Sequence, residues 1–264
     1  MIKIGFIGCG NMGGALATAI SKFNSKSVFL YDKNTEKAKA LAEKTGANLS
    51  DIKDMYDCDF LFIGVKPYAV AELLSEIAPR LSDRTVIVSM AAGVTISDIK
   101  AAAGEKAIIR IMPNTPVAYG KGVILAADSG FNDIRKTLFR EIISFAGMLD
   151  EIPEELIDAG TAVSGCGPAF AYMFIDALAE GGVKAGLSKE KALSYAANTV
   201  IGAATTLLAD GRSAEELRDA VCSPGGSTIE GVKTLLNGDL GTLVSNSVTA
   251  AYERTKELGK KDKK

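Results

Sequence analysis

The chain has 264 residues, enough for one large domain or two ordinary ones, with 47% apolar residues and a net charge of −2. It carries no long basic stripe, which argues against a nucleic-acid partner, and no uninterrupted apolar run approaches the roughly 20 residues that span a bilayer, so no membrane association is expected. Histidine is absent and the four cysteines (Cys9, Cys58, Cys166 and Cys222) form no C-x-x-C pair. That composition predicts a reducing cytoplasm and no metal site, and any acid–base chemistry must use other groups or need little help.

Ile2 to Ile7 reads IKIGFI, an apolar run suited to a buried parallel strand. It leads into GCGNMG, with Gly8, Gly10 and Gly13 at G-x-G-x-x-G spacing and Asn11 and Met12 between them. A helical pattern follows, with Met12, Ala15, Leu16, Ala19 and Ile20 on one face. A second apolar run, SVFLYD, then ends on Asp32, followed by Lys33. Gly8 permits the tight turn, Gly10 lets the backbone approach a pyrophosphate, and Gly13 lets helix and strand pack closely. Free N–H groups at the helix start hold phosphate oxygens, and Asp32 is placed to accept from an adenosine ribose. Together these parts predict a dinucleotide site.

Up to about Asp150, strand-like runs alternate with helical ones, which implies βα units and a parallel sheet. A helix is expected over Thr35 to Thr45, closed by Gly46, then a short edge strand over Ala47 to Ser50. DFLFIGV (59–65), TVIVSM (85–90), AIIRIM (107–112) and Gly122 to Ala127 read as strands, and Pro67 to Leu81 and Asn132 to Phe145 as helices. With Ala47 to Ser50 as the third strand, DFLFIGV becomes the fourth and lies beside the first, at the topological switch point. Three loops then converge on the cofactor edge: Val65-Lys66-Pro67, Ala91-Ala92-Gly93 and the one holding Asn114.

After about Pro153 strand-like runs give way to alanine-rich helices, over Pro168–Lys184, Lys189–Ala209, Ala214–Val221, Thr228–Leu236 and Gly241–Leu258. The boundary implied is 1–152 for the dinucleotide-binding part and 153–264 for the helical part. The helix over 189–209 is apolar on more than one face, as in a core or subunit interface, and predicts an obligate dimer. The basic tail KELGKKDKK reads as a solvated helix end. Two further loops stand out. SGCGPAF (164–170) places Gly167 and Pro168 at a helix start. SPGGST (223–228) combines two glycines able to form an anion nest with the hydroxyls of Ser223, Ser227 and Thr228, at the positive end of a helix. Taken alone, either loop is also readable as a well-made helix start.

FIGCGNMG, VKP, AAGVTIS, IMPNTP, SGCGPAF and above all DAVCSPGGSTIEGV occur in this order over essentially the whole chain. In these motifs it resembles pyrroline-5-carboxylate reductase. The resemblance implies a Rossmann doubly wound parallel sheet followed by an all-helical dimerisation domain. It also implies NADPH or NADH as cofactor, reduction of 1-pyrroline-5-carboxylate to L-proline, and homodimers that can build a decamer from five dimers. Carried over by position, Ser223, Gly226, Ser227 and backbone amides grip the substrate carboxylate and Thr228 reaches the ring nitrogen. Gly167 and Glu154 fall near the pocket. Val65, Lys66 and Ala91 fall where the family touches its cofactor.

Three positions depart from the family pattern. Cys166 stands for a usual serine, Phe170 for a usual tyrosine, and Asp32-Lys33-Asn34 for an Asn-Arg suited to a 2′-phosphate. A β-hydroxyacid dehydrogenase is the rival enzyme reading, but PAFAYMFIDALAEGG lacks the lysine those enzymes place there. A non-catalytic nucleotide sensor is the rival of a different class.

Overall fold

The alternation read from the sequence becomes, in a computed structural model that describes residues 2–261, a mixed eight-stranded sheet wrapped by helices. In chain order the elements are β1 (Ile4–Ile7), α1 (Asn11–Asn24), β2 (Val28–Tyr31), α2 (Thr35–Thr45), β3 (Asn48–Leu49), β4 (Phe60–Ile63), α3 (Val70–Ile77), β5 (Val86–Ser89), α4 (Ile96–Ala103), β6 (Ala107–Pro113), β7 (Gly122–Asp128), α5 (Asp133–Ile143) and β8 (Gly147–Glu151). Then come α6 (Ile157–Gly160), a π-helical turn (Thr161–Gly165), α7 (Gly167–Lys184), α8 (Lys189–Asp210), α9 (Ala214–Ala220), α10 (Ser227–Asn237) and α11 (Leu240–Lys261). The last three residues of the basic tail lie outside the described residues.

The strand order is β3-β2-β1-β4-β5-β6-β7-β8. The fourth strand therefore lies beside the first, and the switch point falls where the sequence places it. Two apolar layers sandwich the sheet. Phe6, Phe60 and Phe62 meet Leu16 and Ile20 of α1 and Phe139 of α5 on one face, and Phe6 stacks on Phe62 with ring centroids 4.6 Å apart. On the other face Ile7, Leu61, Ile63 and Ile87 meet Leu74 and Ile77 of α3 and Ile99 of α4.

Four details differ from the sequence reading, each for a local reason. β7 runs antiparallel to β6, because the connection between them holds only a short turn and not a crossover helix. The stretch 67–81 is not one helix: turns at Pro67–Ala69 and Ala78–Arg80 flank α3, and Pro79 lacks the N–H that would continue it. α4 and β8 were not foreseen. α4 carries its own signal, a capping box in which Thr95 and Asp98 bond each other's backbone N–H. β8 is a short edge strand that mixes Met148 and Leu149 with two acids. Finally, Glu154–Lys184 and Lys189–Asp210 are long and apolar enough to cross a membrane by length and composition. Counting uninterrupted apolar residues missed them, because alanine and glycine with few charges suffice once the segment is helical.

By contacts the chain forms two compact units, one holding the residues through Cys166 together with a stretch from Ala251 on, the other Gly167–Ala250. The first unit keeps α6 because Ile157 is buried against Met112 and Leu125 of the sheet. In the second, the buried residues are three alanines, Ala179, Ala192 and Ala196. Large apolar side chains stay outside: Met173 is 73% exposed, Ile201 64% and Leu208 88%.

Two cysteines are core residues. Burial, aided by Asp32, pushes the Cys9 thiol up to about 12, and burial also pushes Cys58 up to about 12. Both are neutral in the folded protein to higher pH than in the unfolded chain. Their contribution to stability is complete below pH 9 and is lost as pH rises from there through 12. At pH 8 a disulfide reagent is expected to leave Cys9 and Cys58 unlabelled until the protein unfolds. Labelling of either in the native state would contradict the packing described.

Candidate functional site

One rung of the sheet organises the first unit. Tyr31, Ile7, Ile63, Ser89 and Arg110 pair across β2, β1, β4, β5 and β6. The segments leaving the first four strands therefore start level with one another: Asp32-Lys33, Gly8 to Gly10, Gly64 to Pro67, and Met90 to Gly93. This is the carboxyl edge of a parallel sheet, where open α/β folds bind ligands.

The glycine turn is interlocked. Gly8 has φ +102°, and a Cβ on it would lie 2.6 Å from the Gly64 carbonyl carbon. A Cβ on Gly13 would lie 2.1 Å from the Gly8 carbonyl oxygen, and one on Gly64 2.8 Å from that same atom. Gly64 N donates to Ile7 O at 2.8 Å and Gly8 N to Tyr31 O at 2.9 Å. Three backbones thus meet where only glycines fit. Gly10 is the opposite case: it is exposed, and a Cβ there would meet nothing within 4 Å. It is the N-cap of α1 and offers no side-chain cap to the first-turn amides of Asn11, Met12 and Gly13. An open backbone approach backed by helix-start amides fits a pyrophosphate.

Asp32 is held from two sides. Its Oδ2 accepts from Cys9 N at 2.7 Å and its Oδ1 from Asn34 N at 2.8 Å. A carboxylate has about four acceptor directions, so each oxygen retains capacity for a ribose hydroxyl. Asp32 therefore braces the glycine turn as well as presenting a negative charge at its mouth. Lys33 and Lys66 are exposed, Val65 and Gly93 half-buried, Ala92 exposed and Ala91 buried. Asp32→Ser is expected to weaken NADH binding and to raise the NADPH-to-NADH preference ratio. Cofactor titrations by nicotinamide fluorescence check this, and an unchanged ratio would remove Asp32 from cofactor choice.

Two residues that the sequence places at ligands, Asn114 and Glu154, have partners within the chain. β6 continues past the common rung because β7 pairs with Met112 and Pro113, so Asn114 lies beyond the other loops. It is buried, its Oδ1 accepting from Val123 N at 2.9 Å and its Nδ2 donating to Ser164 O at 2.8 Å. Glu154 Oε1 accepts from Ile96 N at 2.8 Å and from the Arg110 guanidinium at 3.1 Å. Arg110 is buried and also meets Asp158 at 3.4 Å. This brace joins β6, α4 and α6. Sequence reading missed Arg110, and the one available signal was a charge inside the apolar strand AIIRIM.

In the second unit, Gly225 has φ +69° and Gly226 N donates to Ser223 O at 3.0 Å, which folds SPGG into a tight turn. Gly226 is the N-cap of α10 and gives no side-chain cap. α10 therefore starts as α1 does, from a glycine that leaves first-turn amides without a side-chain acceptor, whereas α8 and α9 start from serines that cap them. Ser223, Ser227 and Thr228 are exposed. Thr228 is the second residue of α10 and not its cap. Gly167 opens α7, and Cys166 N donates back to Thr161 O at 3.0 Å to close the π turn.

Comparison with known proteins decides the family. The chain is 34% identical to pyrroline-5-carboxylate reductase of Arabidopsis thaliana, over 97% of this chain and 95% of the plant protein. This chain belongs to the pyrroline-5-carboxylate reductase family. It is also 38% identical to human pyrroline-5-carboxylate reductase 2, over 97% of this chain and 84% of that one. The profile described as pyrroline-5-carboxylate reductase dimerisation matches residues 154–258, and that of the coenzyme F420-dependent NADP oxidoreductases matches residues 3–93. Among solved structures, the Plasmodium falciparum pyrroline carboxylate reductase with NADP bound is similar at TM-score 0.85 and 32% identity, covering 98% of each chain. The Coxiella burnetii enzyme is similar at TM-score 0.88 and 30% identity, over 97% of this chain and 98% of that one.

Proposed function

We propose that this chain reduces 1-pyrroline-5-carboxylate to L-proline with NADPH or NADH, the last step of proline synthesis. The observation that carries the reading is family membership over 97% of the chain. The two glycine-capped helix starts agree with it, since one suits a pyrophosphate and the other a carboxylate. Gly8, Gly10, Asn11, Met12 and Gly13 would hold the dinucleotide, with Asp32 and Lys33 at its ribose and the loops at Val65, Lys66 and Pro67 and at Ala91, Ala92 and Gly93 along its length. The bound cofactor supplies the hydride.

The remaining work belongs to the chain's own residues. The imine, protonated on nitrogen, already has an electrophilic carbon. Ser223, Ser227 and the amides at the start of α10 fix the carboxylate, and the Thr228 hydroxyl engages the ring nitrogen. Positioning supplies most of the acceleration in such a reaction. A chain without histidine is then sufficient, because no strong base is required. Residues 1–152 carry the cofactor contacts, and residues 153–264 the imine contacts and self-association.

The chain is a homo-oligomer, soluble and cytoplasmic. Its exposed apolar helices face a second copy and not lipid, a reading supported by the dimerisation profile over 154–258. The unit is an obligate dimer with imine pockets near the subunit boundary, and five dimers can form a decamer. Light scattering is expected to give at least a dimer at low micromolar concentration, and a folded, active monomer would contradict this. Absorbance at the nicotinamide band, with imine and either cofactor, tests the activity itself. Oxidation that needs both imine and protein is expected. Its absence with both cofactors would leave the chain a nucleotide-binding sensor.

A further inference from the structure

Arg110 stands at both ends of one loop of the sheet's carboxyl edge. On β6 it pairs with Ser89, the last residue of β5, where the chain leaves the sheet for Ala91-Ala92-Gly93. Its guanidinium meets Glu154 Oε1 at 3.1 Å, and the same oxygen accepts from Ile96 N, at the first residue of α4, at 2.8 Å. The loop from Met90 to Thr95 therefore begins beside the backbone of Arg110 and ends on a carboxylate that Arg110 holds.

The bonds inside that loop are long. Ala91 N donates to Ser89 Oγ and Val94 N to Ala91 O, each at 3.4 Å, beyond the usual range. Gly93 turns at φ +77° and Ala92 is exposed. The end of the loop is firmer. Asp98 accepts from Thr95 N at 3.0 Å and Thr95 Oγ1 from Asp98 N at 3.1 Å, and Glu154 takes the Ile96 amide between them. The helix dipole also favours an acid there. Arg110 itself sits among buried Ile108, Ile109, Ile111 and Met112. A buried ion pair adds little stability that an apolar side chain would not supply. What Arg110 adds is a fixed place for Glu154.

We infer that Arg110 is a positioning residue for the cofactor: through Glu154 it fixes the loop Ala91-Ala92-Gly93 that meets the nicotinamide end of the dinucleotide. This rests on the reductase reading, in which Asp32 at the end of β2 takes the adenosine ribose and the glycine turn after β1 the pyrophosphate. β5 lies two strands beyond β1 in the same direction, so its loop is the one at the far end of the cofactor. Glu154, which the family resemblance puts near the imine pocket, thereby has a task at the cofactor.

Arg110→Met tests it. Methionine matches the apolar neighbours on β6, and the acids left behind reach solvent, with side chains 29% and 32% exposed, so no charge is stranded inside. Kd is measured without imine, by nicotinamide fluorescence for NADH or NADPH, whichever wild type binds more tightly. It is measured by calorimetry for ADP, which has the ribose and pyrophosphate but no nicotinamide. The expected result is a dinucleotide Kd raised about tenfold, with the ADP Kd within about twofold of wild type. If Arg110→Met does not fold, Glu154→Ala, at a partly exposed position, carries the same expectation. Equal loosening of dinucleotide and ADP would overturn the inference and make the brace a general support of the fold. Wild-type Kd for both ligands in a folded variant would overturn it too. A wild-type protein that binds neither cofactor would instead overturn the functional reading, and this inference with it.

Discussion

Gly13→Ala is expected to cost both the fold and the cofactor site. The added methyl would sit 2.1 Å from the Gly8 carbonyl oxygen, a backbone atom that cannot swing aside as a side chain can. Relief requires α1 to move away from β1, which opens the contact that Gly64 completes from β4. Overpacking of this kind costs roughly 1–3 kcal/mol, here at the upper end. Displacing the first-turn amides also loses hydrogen bonds to phosphate, about 2–3 kcal/mol or a thirty- to hundredfold loss of affinity. Gly10→Ala is the control. Its methyl meets nothing within 4 Å, so the melting temperature should hold while dinucleotide affinity falls. Equal melting and equal binding in both variants would remove the pyrophosphate from this turn.

Thr228→Val is expected to lower kcat/KM for the imine by about ten- to hundredfold, since a hydrogen bond to a charged group is worth roughly 1.5–3 kcal/mol. Valine keeps the shape and removes the hydroxyl. A helix cap would be the competing role, but Gly226 occupies the cap position and Thr228 is the exposed second residue of the helix. Stability should therefore stay within about 0.5 kcal/mol, as for exposed substitutions generally. Cofactor affinity should also hold, because the glycine turn belongs to the other unit. Normal kinetics with a lowered melting temperature would make Thr228 structural.

Local pattern made the cofactor half legible. The run from IKIGFI through the glycine turn to Asp32 folds as read, and Thr35–Thr45 ends at Gly46, whose φ of +72° closes the helix. The strand order followed from counting Ala47 to Ser50 as a strand, although only Asn48 and Leu49 pair. What stayed hidden depends on distant partners. Glu154 reaches Ile96 across 58 residues, Arg110 reaches Glu154 across 44, and Asn114 reaches Ser164 across 50. No spacing rule connects such residues, so Asn114 and Glu154 were assigned by the motifs around them. The position of Asn114 also depends on β6 outrunning its parallel neighbours, which the antiparallel β7 causes. The extent of apolar surface on α7 and α8 was legible only in part, because a long helix shows how much it must cover but not which neighbour covers it.

Isotope transfer tests the central claim most directly. The protein is incubated with 1-pyrroline-5-carboxylate and nicotinamide cofactor deuterated at the reactive ring carbon, and the product is read by mass spectrometry and NMR. The account predicts L-proline carrying one deuterium on the former imine carbon, in amount equal to the cofactor oxidised. Cofactor oxidation without labelled proline, or no oxidation by folded oligomer at saturating imine, would contradict it.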